Sequence, residues 1–255
     1  MTSKATAPIT IETQDSVSVL TLNRPESRNA AGEEMKSAVL SALEQVAGDV
    51  ETRALVITGR GAAFSAGGDV SNFARIASDG DYRRRDRLRQ GRRIVDTLID
   101  FPVPVVVAVN GPAVGFGSTL ASLGDIVLAS ENAYFSDPHV SIGLVAGDGG
   151  VVSWPLVMSL LKAKEYILLG ERIPAADALR LGLVNRVVEP DRLMNEALDV
   201  GRRLARQPRL AVQETKKALN LHLRRAALGI LDMAAAAQSE SFTSEEHREW
   251  LASLD

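Results

Sequence analysis

Residues 103–148 read VPVVVAVNGPAVGFGSTLASLGDIVLASENAYFSDPHVSIGLVAGD, and this stretch decides the fold. Its first part, Val103–Val109, is almost entirely apolar and β-branched, which predicts a strand covered on both faces. The turn Asn110–Gly117 then exposes backbone at glycines, and a short helix reaches Gly124. Bare amide N–H groups at the mouth of a buried strand suit a site that stabilises a developing negative charge. We therefore predict the active site at this turn.

Composition sets the broad class of protein. With 255 residues, 45% of them apolar and 24% charged, the chain has enough material for one large domain or two modest ones. A net charge of −3 and a pI near 5.7 argue against nucleic acid as a partner, because phosphate binding needs a basic face. The absence of cysteine excludes disulfides, thiolate catalysis and cysteine-bound metal.

The remaining features of the composition predict neither a metal site nor a membrane-spanning segment. The three histidines, His139, His222 and His247, are too far apart in sequence for a local metal motif. Residues 1–8 lack the apolar core of a signal peptide, and no apolar run approaches the roughly 20 residues of a membrane span. We therefore expect a cytoplasmic protein.

A second strand-turn-helix unit precedes the first along the chain. Arg53–Thr58 predicts another buried strand, and the small-residue turn Phe64–Asp69 follows it before a helix. Neither turn alone is specific. Two such turns placed side by side would each present one N–H to the same oxygen.

An arginine-rich segment follows this turn. Seven arginines lie between Arg83 and Arg93, within a predicted helix at 79–100. A solvated helix with an apolar stripe explains them, and we favour that interpretation. In the alternative, one of the arginines binds a phosphate of a ligand.

The chain changes character near residue 190. Mixed α/β patterns run up to a short edge strand predicted at 184–188, and helices alone are predicted at 191–206, 208–222, 225–239 and 244–251. We therefore expect residues 1–190 to form the core with the active site, and residues 191–255 to form a helical oligomerisation region.

Several motifs occur in one order along almost the whole chain. The motifs are LNRP at 22–25, FSAGGD at 64–69, PVVVAVNGPAVGFG at 104–117, DIVLA at 125–129 and GLVNRVV at 182–188. In these motifs the chain resembles the crotonase, or enoyl-CoA hydratase/isomerase, superfamily. The resemblance implies an α/β fold, a spiral of ββα units, with C-terminal helices that build a homotrimer or a dimer of trimers.

The resemblance also implies an acyl-CoA site and a role in fatty acid metabolism. Ala66 and Phe116 would each supply an oxyanion N–H for a thioester oxygen as it becomes an enolate. The turn from Ala66 through Gly67 and Gly68 to Asp69 would hold the adenine and pantetheine parts of coenzyme A, with Arg28 near the phosphates. Coenzyme A enters as part of the substrate, and no separate cofactor is expected.

Two positions depart from the hydratase pattern. Hydratases of the superfamily use two glutamates, and the corresponding positions hold Thr119 and His139 here. Threonine has no usable pKa near neutrality, so Thr119 is expected to pack or to position water beside the substrate. His139 has an ordinary pKa of about 6.5, which suits proton transfer, and Asp148 is placed to orient it. The two-glutamate hydration mechanism is therefore not expected.

The leading hypothesis is thus an enolate-stabilising enzyme of the lyase or isomerase type, with His139 in place of a glutamate. The segment His139–Gly149 also resembles 6-oxocamphor hydrolase, a superfamily member that cleaves a carbon–carbon bond in cyclic β-diketones without coenzyme A. The second hypothesis is such a hydrolase, and the third is a catalytically silent protein that only binds ligand.

Structural roles are the alternatives for the same polar residues. His139 could be a partly exposed loop residue bonded to Asp137, and Asp148 could be the N-cap of the next helix. His222 and His247, in the terminal helices, are expected at the surface. Asp125 is expected to be structural, at the start of a strand.

Overall fold

The computed structural model describes residues 7–254, so most of the segment 1–8 considered for a signal peptide lies outside the described residues. Within this range the chain forms nine strands and eleven helices. The strands are β1 Ile9–Gln14, β2 Val17–Leu22, β3 Ala54–Gly59, β4 Val105–Val109, β5 Ala113–Val114, β6 Ile126–Ser130, β7 Tyr134–Ser136, β8 Arg172–Pro174 and β9 Arg186–Val188. The helices are α1 Glu33–Gly48, α2 Phe73–Ser78, α3 Asp81–Ile99, α4 Phe116–Ser122, α5 Gly150–Val157, α6 Leu160–Leu169, α7 Ala175–Leu181, α8 Leu193–Ala205, α9 Arg209–Ala227, α10 Ile230–Ser241 and α11 Glu245–Ala252.

Six strands form the main sheet, in the order β1-β2-β3-β4-β6-β9. Only the β1–β2 pair is antiparallel; the other neighbours run parallel. The parallel pairing places the carboxyl ends of β3 and β4 at one edge, where both glycine-containing turns begin. The predicted α/β class is confirmed, and β9 is the edge strand expected at 184–188.

Strand β4 lies at the centre of the sheet and is buried on both faces. Val105, Val107 and Val109 join the core formed with α1 and α3. Val106 and Ala108 point the other way, into a second core that includes residues of α8. This alternation explains the continuous apolar sequence of the strand, as a half-exposed strand would alternate with polar residues.

The helical region after residue 190 therefore covers one face of the sheet. Leu193, Ala197 and Val200 of α8 are buried in that second core. Helices α9 and α10 pack against α3 and α5. The division into units 1–190 and 191–255 stays a prediction.

Part of the fold was not expected from the sequence. The strands β5, β7 and β8 form a separate three-stranded sheet. These strands have only two or three residues each, too few to produce a readable alternation. They fix the second turn, because the Gly115 N–H donates to the carbonyl of Ser136 at 2.8 Å.

The expectation that His247 lies at the surface was wrong. Its side chain is 0% exposed and packs among the aromatic rings of Phe73 in α2, Phe242 directly after α10 and Trp250 in α11. His222 is exposed, as expected. Asp125 is structural, as expected, since it accepts from the Val105 N–H at 2.6 Å and from the Lys216 ammonium at 2.7 Å.

The arginine-rich helix α3 is largely a paired, solvated helix. Its apolar stripe contains Ile94, Val95 and Leu98, all buried. Several of its arginines form ion pairs with nearby acids, as Arg92 does with Asp96 at 2.8 Å. None of the helices described in 7–254 is long and apolar enough to cross a membrane.

Candidate active site

The two glycine-containing turns meet in space. The Val114 N–H donates to the carbonyl of Ser65 at 2.9 Å, and the Ser65 N–H donates to the carbonyl of Pro112 at 3.1 Å. Ser65 and Ala113 form a parallel bridge between the turns. The convergence of two segments far apart in sequence, expected from their matching strand-turn-helix patterns, is therefore present.

Two glycines allow this close contact. Gly67 has φ = +85°, and a Cβ there would lie 2.6 Å from the carbonyl oxygen of Val114. A Cβ on Gly117 would lie 2.7 Å from both Cβ and the carbonyl oxygen of Ser65. Side chains at either position would force the turns apart, so the glycines at 67 and 117 have a steric cause.

The donors available to an oxyanion differ from those predicted in one respect. The Ala66 N–H already donates to the carbonyl of Arg28 at 2.8 Å, and Ala66 does not line the cleft. Gly68 does line the cleft, and its N–H has no acceptor among residues 7–254. The candidate donor of the first turn is therefore Gly68, because the Ala66 N–H is already occupied by its hydrogen bond to Arg28.

The donor predicted in the second turn lies at a helix start. Phe116 is the first residue of α4, and such a residue has no acceptor within its own helix. No other described residue accepts from its N–H. The Gly68 and Phe116 amides are thus two uncommitted donors on turns in direct contact.

The residues expected to hold coenzyme A lie around the first turn. Asp69 caps the following 3₁₀ turn, accepting from the Ser71 N–H at 3.1 Å and from the Asn72 amide at 2.5 Å. Arg28 is exposed and has φ = 53° at the end of another 3₁₀ turn. Its carbonyl accepts from the Ala66 N–H, and its exposed side chain lies outside the cleft lining.

His139 is buried between two carboxylates. Its Nδ1 forms a short hydrogen bond with Oδ1 of Asp137, and its Nε2 lies 3.3 Å from Oδ2 of Asp148. The side chain of Asp137 is 1% exposed, and those of His139 and Asp148 are each 11% exposed. The bond to Asp137 suspected from sequence is present, but the imidazole is buried rather than partly exposed.

This environment favours an imidazolium. Burial opposes the charge on His139, but Asp137 and Asp148 outweigh it and raise the pKa of His139 well above its ordinary value of 6.5. Burial likewise opposes the charge on Asp148, but the positive His139 outweighs it, with help from Lys36, and lowers the pKa of Asp148 to about 2. The arrangement is a buried cation held by two anions.

The histidine and its partner lie beside the two turns. A Cβ built on Gly115 would lie 3.6 Å from Cε1 of His139 and 3.9 Å from Oδ2 of Asp148. His139, Asp148 and Gly68 line the same cleft, which encloses about 640 Å³ including its open mouth. Gly68 and the charged pair thus border one cavity, and Gly115, directly before Phe116, lies against the charged pair.

Thr119 has the packing role that was considered for it, whereas Asp148 does not have the capping role that was considered for it. Thr119 is 1% exposed and lies outside the cleft lining. Its methyl group would be 2.8 Å from a Cβ on Gly149, so it packs beneath the loop that carries Asp148. The N-cap of α5 is Gly149, with no capping side chain, so Asp148 is not a helix cap.

Sequence reasoning missed several polar residues of the cleft. Lys36 lies on α1 three residues before the buried Val39, on the same helical face, and this spacing is a usable signal. Gln238 is 3% exposed and lines the cleft, but it comes from α10, about a hundred residues away from His139 in sequence. No local pattern joins those two residues.

The site can stabilise a developing oxyanion and move a proton beside it. Two amide N–H groups supply the first function, and the His139–Asp148 pair supplies charged acid and base groups next to the same turns. Among residues 7–254 no group of three or more acidic or histidine side chains is arranged to hold a metal ion.

Known proteins resemble this chain in sequence over most of its length. The family described as Enoyl-CoA hydratase/isomerase matches residues 12–254. A short-chain-enoyl-CoA hydratase from Clostridium acetobutylicum is 34% identical, over 92% of this chain and 87% of that protein. A 2,3-dehydroadipyl-CoA hydratase from Escherichia coli K12 is 36% identical, over 82% of this chain and 80% of that protein.

A solved structure resembles this chain in its fold as well. An enoyl-CoA hydratase/isomerase from Mycobacterium paratuberculosis matches with a TM-score of 0.92 at 43% identity, over 98% of this chain and 100% of that chain. Fold and turns together define an enzyme of the crotonase fold. The chain belongs to the enoyl-CoA hydratase/isomerase family.

Proposed function

We propose that this enzyme binds an acyl-CoA thioester and stabilises its enolate between the N–H groups of Gly68 and Phe116. The observation that carries the proposal is the contact between the two glycine turns, which leaves these two amides uncommitted beside a charged cleft. Removal of one such donor typically lowers turnover by about 10²–10³. Arg28 and the turn around Asp69 would bind the coenzyme A part.

The acid and base groups favour a reaction that moves one proton at a time. Both imidazole nitrogens of His139 face carboxylates, so the imidazolium has no free lone pair. Asp148 is then the proton acceptor, and His139 holds the positive charge that stabilises Asp148 and the neighbouring enolate. The position of the second hydratase glutamate holds Thr119, which lies outside the cleft and has no carboxylate to activate water. We infer double-bond isomerisation of an enoyl-CoA, in which one group removes and returns the proton.

Exchange of the α-protons of butyryl-CoA in D₂O, followed by NMR, tests enolate formation directly. Phe116→Pro removes the donor N–H at a helix position that accepts proline, and we expect exchange to slow by about 10²–10³. Phe116→Leu is the matched control, because it removes the ring and keeps the N–H. Equal rates in the two variants would refute the oxyanion role of this amide.

A carbon–carbon bond hydrolase is the second candidate. The buried His139–Asp148 pair favours it, since Asp148, the proton acceptor of the pair, can activate water beside the imidazolium. That reading predicts turnover of cyclic β-diketones and no affinity for coenzyme A. Calorimetry with coenzyme A separates the two candidates, and affinity for coenzyme A without exchange of any thioester proton would indicate a ligand-binding protein.

Oligomerisation through the C-terminal helices is also proposed. Large apolar side chains of α9, Leu210, Leu219 and Leu221, are exposed on the single chain, which supports burial against another copy. We expect a homotrimer or a dimer of trimers. Light scattering during gel filtration measures the mass directly.

A further inference from the structure

Lys36 occupies an unusual position in the cleft. Its ammonium lies 5.0 Å from the centroid of the Phe116 ring. Phe116 is the residue whose N–H is a proposed oxyanion donor. A Cβ on Gly91 of α3 would lie 3.7 Å from Nζ. The lysine thus extends from α1 across the cleft between α3 and the second turn.

The ammonium of Lys36 has no close ionic partner in the part of the chain that the structure describes. By contrast, the buried Lys216 pairs with Asp125 at 2.7 Å, and the exposed Lys162 pairs with Glu165 at 2.6 Å. The anion that Lys36 influences is Asp148, which is already committed to His139. A half-buried cation without a direct partner costs free energy unless a ligand supplies the anion.

A second polar group in the same wall lacks a partner. The side-chain oxygen of Gln90 is buried and makes no hydrogen bond among residues 7–254, and Gln90 lines the cleft beside Lys36. A glutamine amide can turn about its last bond and present its NH₂ group instead of its oxygen. The lining of this cleft therefore contains a cation and an amide donor for a ligand.

An acyl chain made only of methylenes would leave both groups desolvated and unpaired. A carboxylate would satisfy both, because an ammonium and an amide N–H donate to carboxylate oxygens. We propose that the acyl group of the substrate ends in a carboxylate, a short distance from the thioester, and that Lys36 binds it with help from Gln90. This inference rests on the function proposed above, since it specifies the substrate of that same site.

The test compares binding of two series of saturated thioesters, because binding needs no turnover. Butyryl-, valeryl- and hexanoyl-CoA end in methyl groups, and succinyl-, glutaryl- and adipyl-CoA end in carboxylates. Calorimetry gives the ratio of Kd values at each chain length. In the wild-type protein we expect at least one carboxylate thioester to bind about 10-fold or more tightly than its methyl counterpart.

The ratio of the two Kd values separates the contribution of the Lys36 charge from any general effect of a substitution on the site. In Lys36→Met the preference should fall by about 10- to 100-fold, and in Lys36→Arg most of it should remain, because the charge is kept. Lys164→Met, at an exposed lysine of α6, is the matched control and should leave the ratio unchanged. Melting curves confirm that each variant is folded.

The outcomes separate this inference from the function on which it rests. If both series bind and Lys36→Met leaves the ratio as in the wild type, the carboxylate assignment is overturned and the acyl-CoA function stands. If Lys36→Met weakens both series equally, Lys36 contacts coenzyme A or supports Asp148, and the assignment is likewise overturned. If neither series nor free coenzyme A binds, the proposed function fails, and this inference fails with it.

Discussion

The molecule contains two buried histidines in very different surroundings. His139 lies between the carboxylates of Asp137 and Asp148 and borders the cleft. His247 is stacked on Trp250, with ring centroids 5.5 Å apart, and its Nδ1–H donates to the carbonyl of Ile142 at 2.7 Å. Its other ring nitrogen, Nε2, is buried without a hydrogen bond to any residue of 7–254.

The difference shows that burial alone does not make a histidine functional. Two anions stabilise the charged form of His139 and place it beside uncommitted backbone donors, so a proton can move there. Aromatic rings surround His247, and it contributes packing and one hydrogen bond that ties α11 to the turn containing Ile142.

The largest expected effect is on proton transfer. His139→Gln removes the cation but keeps a polar side chain of similar size, and we expect α-proton exchange of butyryl-CoA to fall by about 10²–10⁴. Affinity for coenzyme A should persist, because His139 is not among the residues expected to bind it. The rates come from NMR in D₂O, and the Kd from calorimetry.

The matched control is His247→Gln, the same substitution at the other buried histidine. It should keep exchange within a few-fold of the wild type, measured at a temperature at which both variants are folded. Exchange by His139→Gln at the wild-type rate would remove His139 from the mechanism and leave the two histidines equivalent.

The second prediction concerns pH. The folded pKa of His139 is raised above the unfolded value of about 6.5, so its contribution to stability is fully present below pH 6.5 and is lost as pH rises through the folded pKa. Asp148 behaves oppositely: with a folded pKa of about 2, its contribution is present above pH 3.8 and is lost as pH falls toward 2. Urea unfolding across both ranges measures these losses.

Asp137→Asn sharpens this test. Removing one carboxylate lowers the pKa of His139 toward its ordinary value, so the loss of stability above pH 6.5 should become smaller than in the wild type. An NMR titration of the imidazole reports the same shift independently. A pH profile identical to that of the wild type would show that Asp137 does not hold the charge on His139.

Sequence reasoning reached the frame of the site and three of the charged or titratable residues that line it, Asp69, His139 and Asp148. The strand-turn-helix pattern predicted two convergent turns, because parallel strands place their carboxyl ends at one edge. His139 stood out because its residue type differed from the glutamate that the resemblance led us to expect. The steric need for Gly67 and Gly117 was readable only as a richness in small residues.

The remaining features depended on contacts between distant segments. Which amide of the first turn is uncommitted depends on the hydrogen bond from Ala66 to Arg28, almost forty residues apart, and no local pattern encodes it. The burial of His247 depends on Phe73 of α2 and on Phe242, which directly follows α10. Amphipathic helices of similar composition can place such a residue on either face.

The smallest expected effect is at His247 itself. His247→Phe keeps the stacked ring and removes both the hydrogen bond to Ile142 and the unsatisfied Nε2, two changes that oppose each other. We therefore expect the free energy of unfolding to change by at most about 1 kcal/mol, whereas His247→Ala should lower it by about 3 kcal/mol because it opens a cavity among the rings. Urea unfolding at pH 7 measures both. His247→Phe could instead stop α-proton exchange, as His139→Gln is expected to do. The contrast between a catalytic and a structural histidine would then fail, because the ring nitrogens of His247 would matter to the reaction through the turn that contains His139 and Ile142.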